Sequence, residues 1–62
     1  MYFHLKVRGP KDKVFFFLTP KNGKNRLKIH GVMIEGRERA EKLAKEIMDL
    51  NKGVQAKIVP VL

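Results

Sequence analysis

The chain has 62 residues, a formal net charge of +8 at pH 7, no cysteine and 32% charged residues. A chain of this length builds a modest core, so we expect residues 1–62 to form one small domain. The missing cysteines exclude disulfides, thiolate metal sites and thiol nucleophiles. A charge-rich composition without Ser, Cys or Trp is one feature of proteins from hot environments, and it favours a thermophilic protein.

The positive charge is unevenly distributed along the chain. Residues 1–34 contain eight Lys or Arg and one acid, whereas residues 35–52 contain five bases and five acids. The remaining residues 53–62 add only Lys57 to the charged set. The surplus of positive charge therefore lies outside residues 35–52, and such a segregated surplus favours a polyanionic partner.

Hydrophobic periodicity predicts five elements in the order β-β-β-α-β. We expect strands at Tyr2–Arg8, Lys13–Thr19, Arg26–Ile34 and Val54–Val61, and a helix at Gly36–Leu50. Turns are predicted at Gly9–Asp12 and Pro20–Asn25, where Asn22-Gly23 is a strong hairpin signal. Gly31 interrupts the third strand, and the strand register beyond it stays open.

These elements combine into an α+β fold. Two hairpins make the first three strands neighbours, and a right-handed crossover through the helix places the fourth strand parallel to the first. The expected result is a four-stranded mixed sheet of order 3-2-1-4, with the helix packed on one face and the other face open and basic. The expected core contains Phe3, Leu5, Val7, Val14, Phe16, Leu18, Leu27, Ile29, Leu43, Ala44, Ile47, Val54, Ala56 and Ile58.

The run Val14–Leu18 contains three consecutive phenylalanines and is the predicted centre of the sheet. Alternation places Val14, Phe16 and Leu18 in the core and sends Phe15 and Phe17 to the open face. Aromatic rings can stack on bases, while Lys and Arg can neutralise phosphates. The expected nucleic-acid-binding residues are Lys6, Arg8, Lys13, Phe15, Phe17, Arg26, Lys28 and Lys57.

The predicted order of three strands followed by a helix, across residues 2–50, resembles that of the small DNA-binding domains of phage-integrase N-termini and AP2-type factors. Those domains lay their sheet in the major groove, so the resemblance implies contact with DNA through the sheet. The likeness is one of element order, without a shared residue motif, and the fourth strand departs from it. The dense backbone charge of duplex DNA is the reason that we favour DNA over RNA.

The alternative function is a protein-interaction or homo-oligomeric assembly module, such as a homodimer. In that case Phe15 and Phe17 lie in a subunit interface or under a loop, because an exposed apolar pair usually marks a contact. The edge of the fourth strand, at Val59 and Val61, is the other candidate interface.

An enzyme is not expected. Thr19 and Tyr2 carry the only side-chain hydroxyls, so the common covalent nucleophiles are missing. His4 and His30 are expected at the surface without a third metal ligand, and Asp12 and Glu35 are assigned to a turn and a helix start. We therefore expect no metal, cofactor or small-molecule substrate.

The longest apolar run has five residues, far too few to span a membrane. No basic segment leads into a long apolar run at the start of the chain, so no signal peptide is predicted. We expect a soluble cytoplasmic protein without membrane contact.

Overall fold

The structure, a computed structural model that describes residues 1–21 and 23–61, is an α+β fold with one α-helix and one curled sheet. Its elements in chain order are β1 (Tyr2–Arg8), β2 (Phe16–Leu18), β3 (Lys24–Asn25), a 3-10 helix (Lys28–His30), β4 (Ile34–Glu35), α1 (Arg37–Leu50) and β5 (Gln55–Pro60). The α+β class predicted from the sequence is confirmed.

β1 is the central strand of the sheet. β5 pairs with it from Phe3 to Arg8 along one edge. On the other edge, β2 pairs with Lys6 and Val7, and β4 pairs with Tyr2 and Phe3. β3 pairs with the outer side of β2, which gives the order β3-β2-β1-β4 with β5 also beside β1.

The predicted neighbours of the first strand are confirmed, but the predicted direction of the last strand is wrong. All described strand pairs are antiparallel, including β1 with β5, so the sheet is not mixed. The cause is β4, a two-residue strand that the sequence pattern does not reveal. It reverses the chain once more before the helix, so the chain leaves the helix in the opposite direction.

The predicted third strand is replaced by the short β3, a bend and the 3-10 helix. The Asn25 Oδ1 atom accepts a hydrogen bond from the Leu27 amide at 2.8 Å. The amides of His30 and Gly31 then donate to the carbonyls of Leu27 and Lys28 at 3.1 and 3.0 Å. These local bonds compete with strand pairing and override the alternation of the sequence.

Three residues predicted in the core lie on the surface instead. Val14, Leu27 and Ile29 are 43%, 59% and 84% exposed. Val14 falls in a bend because β2 begins only at Phe16. Leu27 and Ile29 belong to the segment that does not form a strand. The three side chains therefore stabilise the fold much less than expected.

The core lies between the sheet and α1. Phe3, Leu5 and Val7 alternate along β1 toward the helix and are buried, and Leu5 is fully enclosed. The helix meets them with Ala40 and Ala44, which are also buried. Small side chains at these two positions let the helix lie close to the sheet, as the core cluster of Leu5, Leu18 and Ala44 shows.

The predicted helix is confirmed, and its two ends are well defined. Gly36 precedes it with a φ of 90°, a conformation that favours glycine. Asn51 ends it by donating its side-chain amide to the Ile47 carbonyl at 2.9 Å. None of the helices in the described part of the chain has the length and apolar character needed to cross a membrane.

The predicted hairpin turn between β2 and β3 is present, although Asn22 lies outside the described residues. The Thr19 amide donates to the Gly23 carbonyl at 3.0 Å, and the Gly23 amide donates to the Thr19 hydroxyl at 2.9 Å. These two bonds close the loop and bring β3 back beside β2.

Candidate functional site

The face of the sheet opposite α1 is built from alternate residues of three neighbouring strands. Lys6 of β1 lies between Phe17 of β2 and Lys57 of β5 in the strand register. Directly opposed residues share one face of a sheet, and alternation adds Arg8 and Phe15 to the same face. We call the surface formed by Lys6, Arg8, Phe15, Phe17 and Lys57 the open-face cluster.

Each cation of the open-face cluster lies over a phenylalanine ring. The Lys6 Nζ atom is 4.8 Å from the ring centroid of Phe17. The Lys57 Nζ and Arg8 Cζ atoms are 4.3 and 5.1 Å from the ring centroid of Phe15. Such contacts contribute about 0.5–1 kcal/mol each at exposed sites, so the two rings hold the three cations near the sheet.

The strand register also opposes two like charges. Lys6 and Lys57 are direct partners across β1 and β5, where like charges destabilise a sheet. The rings separate the two ammonium groups, since Lys6 turns to Phe17 and Lys57 turns to Phe15. The repulsion of this opposed pair works against the stabilising contacts that each ammonium makes with its ring.

The third cation is oriented by a neutral partner. The Arg8 Nη2 atom donates a hydrogen bond to the Gln55 Oε1 atom across β1 and β5. A neutral amide fixes the guanidinium without compensating its charge. In the described part of the chain, the acid that shares this face is Glu35, opposite Tyr2 at the far end of β1. That position is four residues from Lys6, or about 13 Å along the strand.

His4 borders the open-face cluster and is buried, not exposed as its sequence position suggested. It is 3% exposed, and its Nδ1 atom donates to the Val32 carbonyl at 3.0 Å. Its ring meets the Phe17 ring edge-on, with centroids 5.4 Å apart. Gly31 packs so closely that a Cβ atom there would lie 3.0 Å from His4 Nδ1. The segment after the 3-10 helix therefore covers this end of the open face.

Asp12 and Lys24 belong to the opposite, helix-side face. Lys24 pairs with buried Leu18 in the register, and its ammonium lies 2.8 Å from the Asp12 carboxylate. The Gly9 amide also donates to Asp12, at 2.8 Å. The hydrogen bonds from Lys24 and from the Gly9 amide lower the pKa of Asp12 below its usual value. The carboxylate thus holds the β1–β2 turn, the role assigned to it from the sequence.

Five of the eight predicted binding residues lie together on the open face of the sheet, and three lie elsewhere. The two phenylalanines and the three strand cations form the open-face cluster. Lys13 is exposed in the bend before β2, Arg26 is exposed in the bend after β3, and Lys28 is exposed in the 3-10 helix. The expectation that Arg26 and Lys28 project from a strand of the open face is wrong, because that strand does not form.

The structure adds two residues to the site that the sequence did not single out. Gln55 orients Arg8, and its position opposite Arg8 follows only from an antiparallel β5. His4 supports Phe17, but the sequence pattern predicts a strand for the segment that buries His4. Neither role has a signal in the sequence alone. Within residues 1–21 and 23–61, no group of three His, Cys, Asp or Glu is placed to hold a metal ion.

Comparisons of the chain with protein-family models, with curated proteins and with solved structures gave no match. The functional interpretation therefore rests on the geometry and charge of the open face.

Proposed function

We propose that this protein binds nucleic acid through the open face of its sheet, as a binding module and not as an enzyme, with DNA favoured over RNA. The observation that supports the proposal most is the open-face cluster. Its three cations lie 4.3–5.1 Å from two aromatic rings, on the face that α1 leaves uncovered.

The distribution of charge over the whole fold also supports binding through the sheet side of the molecule. Residues 35–52, which include α1, carry equal numbers of acids and bases, whereas the sheet and its loops carry the surplus. A polyanion that approaches the protein is attracted to the sheet side by this asymmetry. Duplex DNA presents dense phosphate charge to such a face, and a partner of this kind fits a cytoplasmic protein.

The proposed contacts follow from position. Lys6, Arg8 and Lys57 bind phosphates directly, and Phe15 and Phe17 lie at the centre of the contact. Lys13, Arg26 and Lys28 are exposed outside the sheet and add phosphate contacts at its margins.

Fluorescence anisotropy with labelled duplex and single-stranded oligonucleotides, over a range of salt concentrations, tests the proposal. Six phosphate contacts give an expected slope of log K against log salt near about −5 for duplex DNA. The triple variant Lys6→Gln, Arg8→Gln and Lys57→Gln removes three of these contacts, and the slope should become shallower by about 2.7.

A matched control removes the same charge from the helix. The triple variant Arg39→Gln, Lys42→Gln and Lys45→Gln lies on exposed positions of α1. We expect its slope to stay near that of the unchanged protein. Absence of binding at low salt, or an equal loss of affinity in both triple variants, contradicts binding through the open face.

A second candidate function is protein interaction or self-assembly, with Phe15 and Phe17 or the edge of β5 in a subunit interface. In the described part of the chain, β5 pairs with β1 on one side and with no strand on the other. An unpaired edge can add a strand from another chain, although Pro60 limits pairing near the end of β5.

Light scattering, which measures the oligomeric state, distinguishes the two candidate functions. An oligomer that dissociates on Phe15→Ala with Phe17→Ala, without a change in oligonucleotide affinity, favours assembly.

A further inference from the structure

We infer that the open face recognises the phosphodiester backbone and does not read bases, so that Phe15 and Phe17 support cations and do not serve as stacking platforms. The inference rests on the proposed function and names the part of the nucleic acid that the site recognises.

The ring of Phe15 is already occupied by two cations. Lys57 and Arg8 both lie within 5.1 Å of its centroid, and the side chain is only half-exposed. A base that stacks on this ring has to displace at least one of them. The displacement breaks a cation–π contact and also moves a cation that binds phosphate, so stacking competes with backbone binding at this residue.

The ring of Phe17 is enclosed on several sides. Lys6 lies over it, and His4 meets it edge-on with an interplanar angle of 79°. Gly31 packs against its Cβ atom, since an added Cβ there would lie 3.4 Å away. These neighbours leave little room for a base to lie flat on the ring.

Among the described residues, two amide side chains lie on this face, and both are poorly placed to read bases. Asn and Gln recognise adenine by using the amide oxygen and nitrogen together. The Gln55 Oε1 atom accepts from Arg8, and the Asn25 Oδ1 atom accepts from the Leu27 amide. Each oxygen therefore already accepts one bond within the protein and keeps one lone pair for a base. The internal bond fixes how the amide is turned, so the paired contact with adenine is limited to that orientation.

The cation–π contacts favour phosphate binding in a further way. A lysine held over a ring has already lost part of its side-chain freedom. Less freedom remains to be lost when it binds a phosphate, so a held lysine binds more tightly than a free one with the same charge. The rings therefore raise affinity for any phosphodiester chain, whatever its sequence.

Anisotropy titrations of the unchanged protein with two labelled strands of equal length test the inference. One is a mixed-sequence single strand of DNA, and the other is an abasic strand with the same sugar–phosphate backbone. We expect the two affinities to agree within about twofold, with equal salt slopes near about −0.7 per phosphate contact. Stacking of even one base would make the mixed-sequence strand bind about 5- to 150-fold more tightly than the abasic strand.

A pair of substitutions at Phe15 tests the role of the ring. Phe15→Leu keeps apolar bulk and removes the ring, whereas Phe15→Tyr keeps the ring. We expect Phe15→Leu to weaken binding of both strands by the same factor, and Phe15→Tyr to bind both strands more tightly than Phe15→Leu because it keeps the ring under Arg8 and Lys57. A loss confined to the base-containing strand overturns the inference.

The outcomes separate the inference from the proposed function. If neither strand and no duplex binds at low salt, nucleic-acid binding itself is wrong. If base-containing DNA binds and the abasic strand binds more than about fivefold more weakly, the inference fails while nucleic-acid binding stands. The strand comparison needs no variant, so it decides the question even if Phe15→Leu does not fold.

Discussion

At the scale of single residues, the turn between β1 and β2 depends on the side chain of Asp12. Its Oδ2 atom accepts hydrogen bonds from the Lys24 ammonium and the Gly9 amide, both at 2.8 Å. These two donors stabilise the ionised carboxylate and lower its pKa in the folded chain. One partly buried carboxylate therefore links the turn to β3.

We expect Asp12 to make the stability of the fold depend on pH in acid. Because its folded-state pKa lies below the unfolded value of 3.8, the carboxylate stabilises the fold fully above the unfolded pKa. This contribution is lost as the pH falls through the folded-state pKa. Urea unfolding midpoints measured from about pH 6 to about pH 2 should show the loss.

Two variants separate this effect from general acid unfolding. Asp12→Asn should lower the midpoint at neutral pH and flatten the acid part of the profile. Lys24→Gln removes the largest cause of the lowered pKa, so its profile should begin to fall at a higher pH. An Asp12→Asn profile with the same acid dependence as the unchanged protein contradicts the role of this carboxylate.

The face of the sheet on which a side chain lies could be predicted from the sequence wherever a strand formed. The alternation of Phe3, Leu5 and Val7 orients Lys6 and Arg8 correctly, because the two-residue period is a local property of any strand. The burial of His4 could not be predicted in this way. It depends on Gly31 and Val32, which are distant in sequence and reach His4 only through the path of the intervening loop.

At the scale of elements, length separates the correct predictions from the wrong ones. α1 spans 14 residues, and its apolar period recurs often enough to define it. The strand predicted at Arg26–Ile34 rested on two apolar residues, Leu27 and Ile29. The bond from the Leu27 amide to Asn25 and the two backbone bonds of the 3-10 helix redirect that segment. The two-residue β4 has no detectable period, so the direction of β5 could not be predicted either.

We expect the side chain of Asn25 to maintain the bend and the 3-10 helix. Asn25→Ala removes the acceptor of the Leu27 amide, and the loss of one hydrogen bond should lower the free energy of unfolding by about 0.5–1.5 kcal/mol. Amide hydrogen exchange is the sharper measurement. Exchange should accelerate at Leu27 and Gly31 much more than at the β1 amides that pair with β5.

Asn25→Asp is the matched control, since a carboxylate accepts the same hydrogen bond and tolerates the same turn. It should keep the Leu27 amide protected. Equal acceleration in both variants, or no change at Leu27 in Asn25→Ala, shows that something other than this side chain redirects the segment.

At the scale of the whole molecule, the same positive charges lower the stability of the free fold and attract a polyanionic partner. The formal net charge of +8 lies on the sheet and its loops, while the helix segment is neutral. Such a surplus repels itself in the free protein, and added salt screens the repulsion. A bound polyanion neutralises the same charges directly, and added salt weakens that binding. The free protein and the complex should therefore respond to salt in opposite directions.

We expect melting temperatures measured against sodium chloride, with and without duplex DNA, to converge. Without DNA, Tm should rise with salt as repulsion is screened. With DNA at about 100 times Kd, binding adds about 2.7 kcal/mol at low salt, which corresponds to a rise in Tm of roughly 10–20 °C for a domain of this size. That gain in Tm should disappear as salt increases.

The open-face triple variant should lose the gain in Tm that DNA provides, whereas the α1 triple variant, with the same net charge, should keep it. A gain that is independent of salt, or equal in the two variants, means that the open-face cluster is not where the polyanion binds.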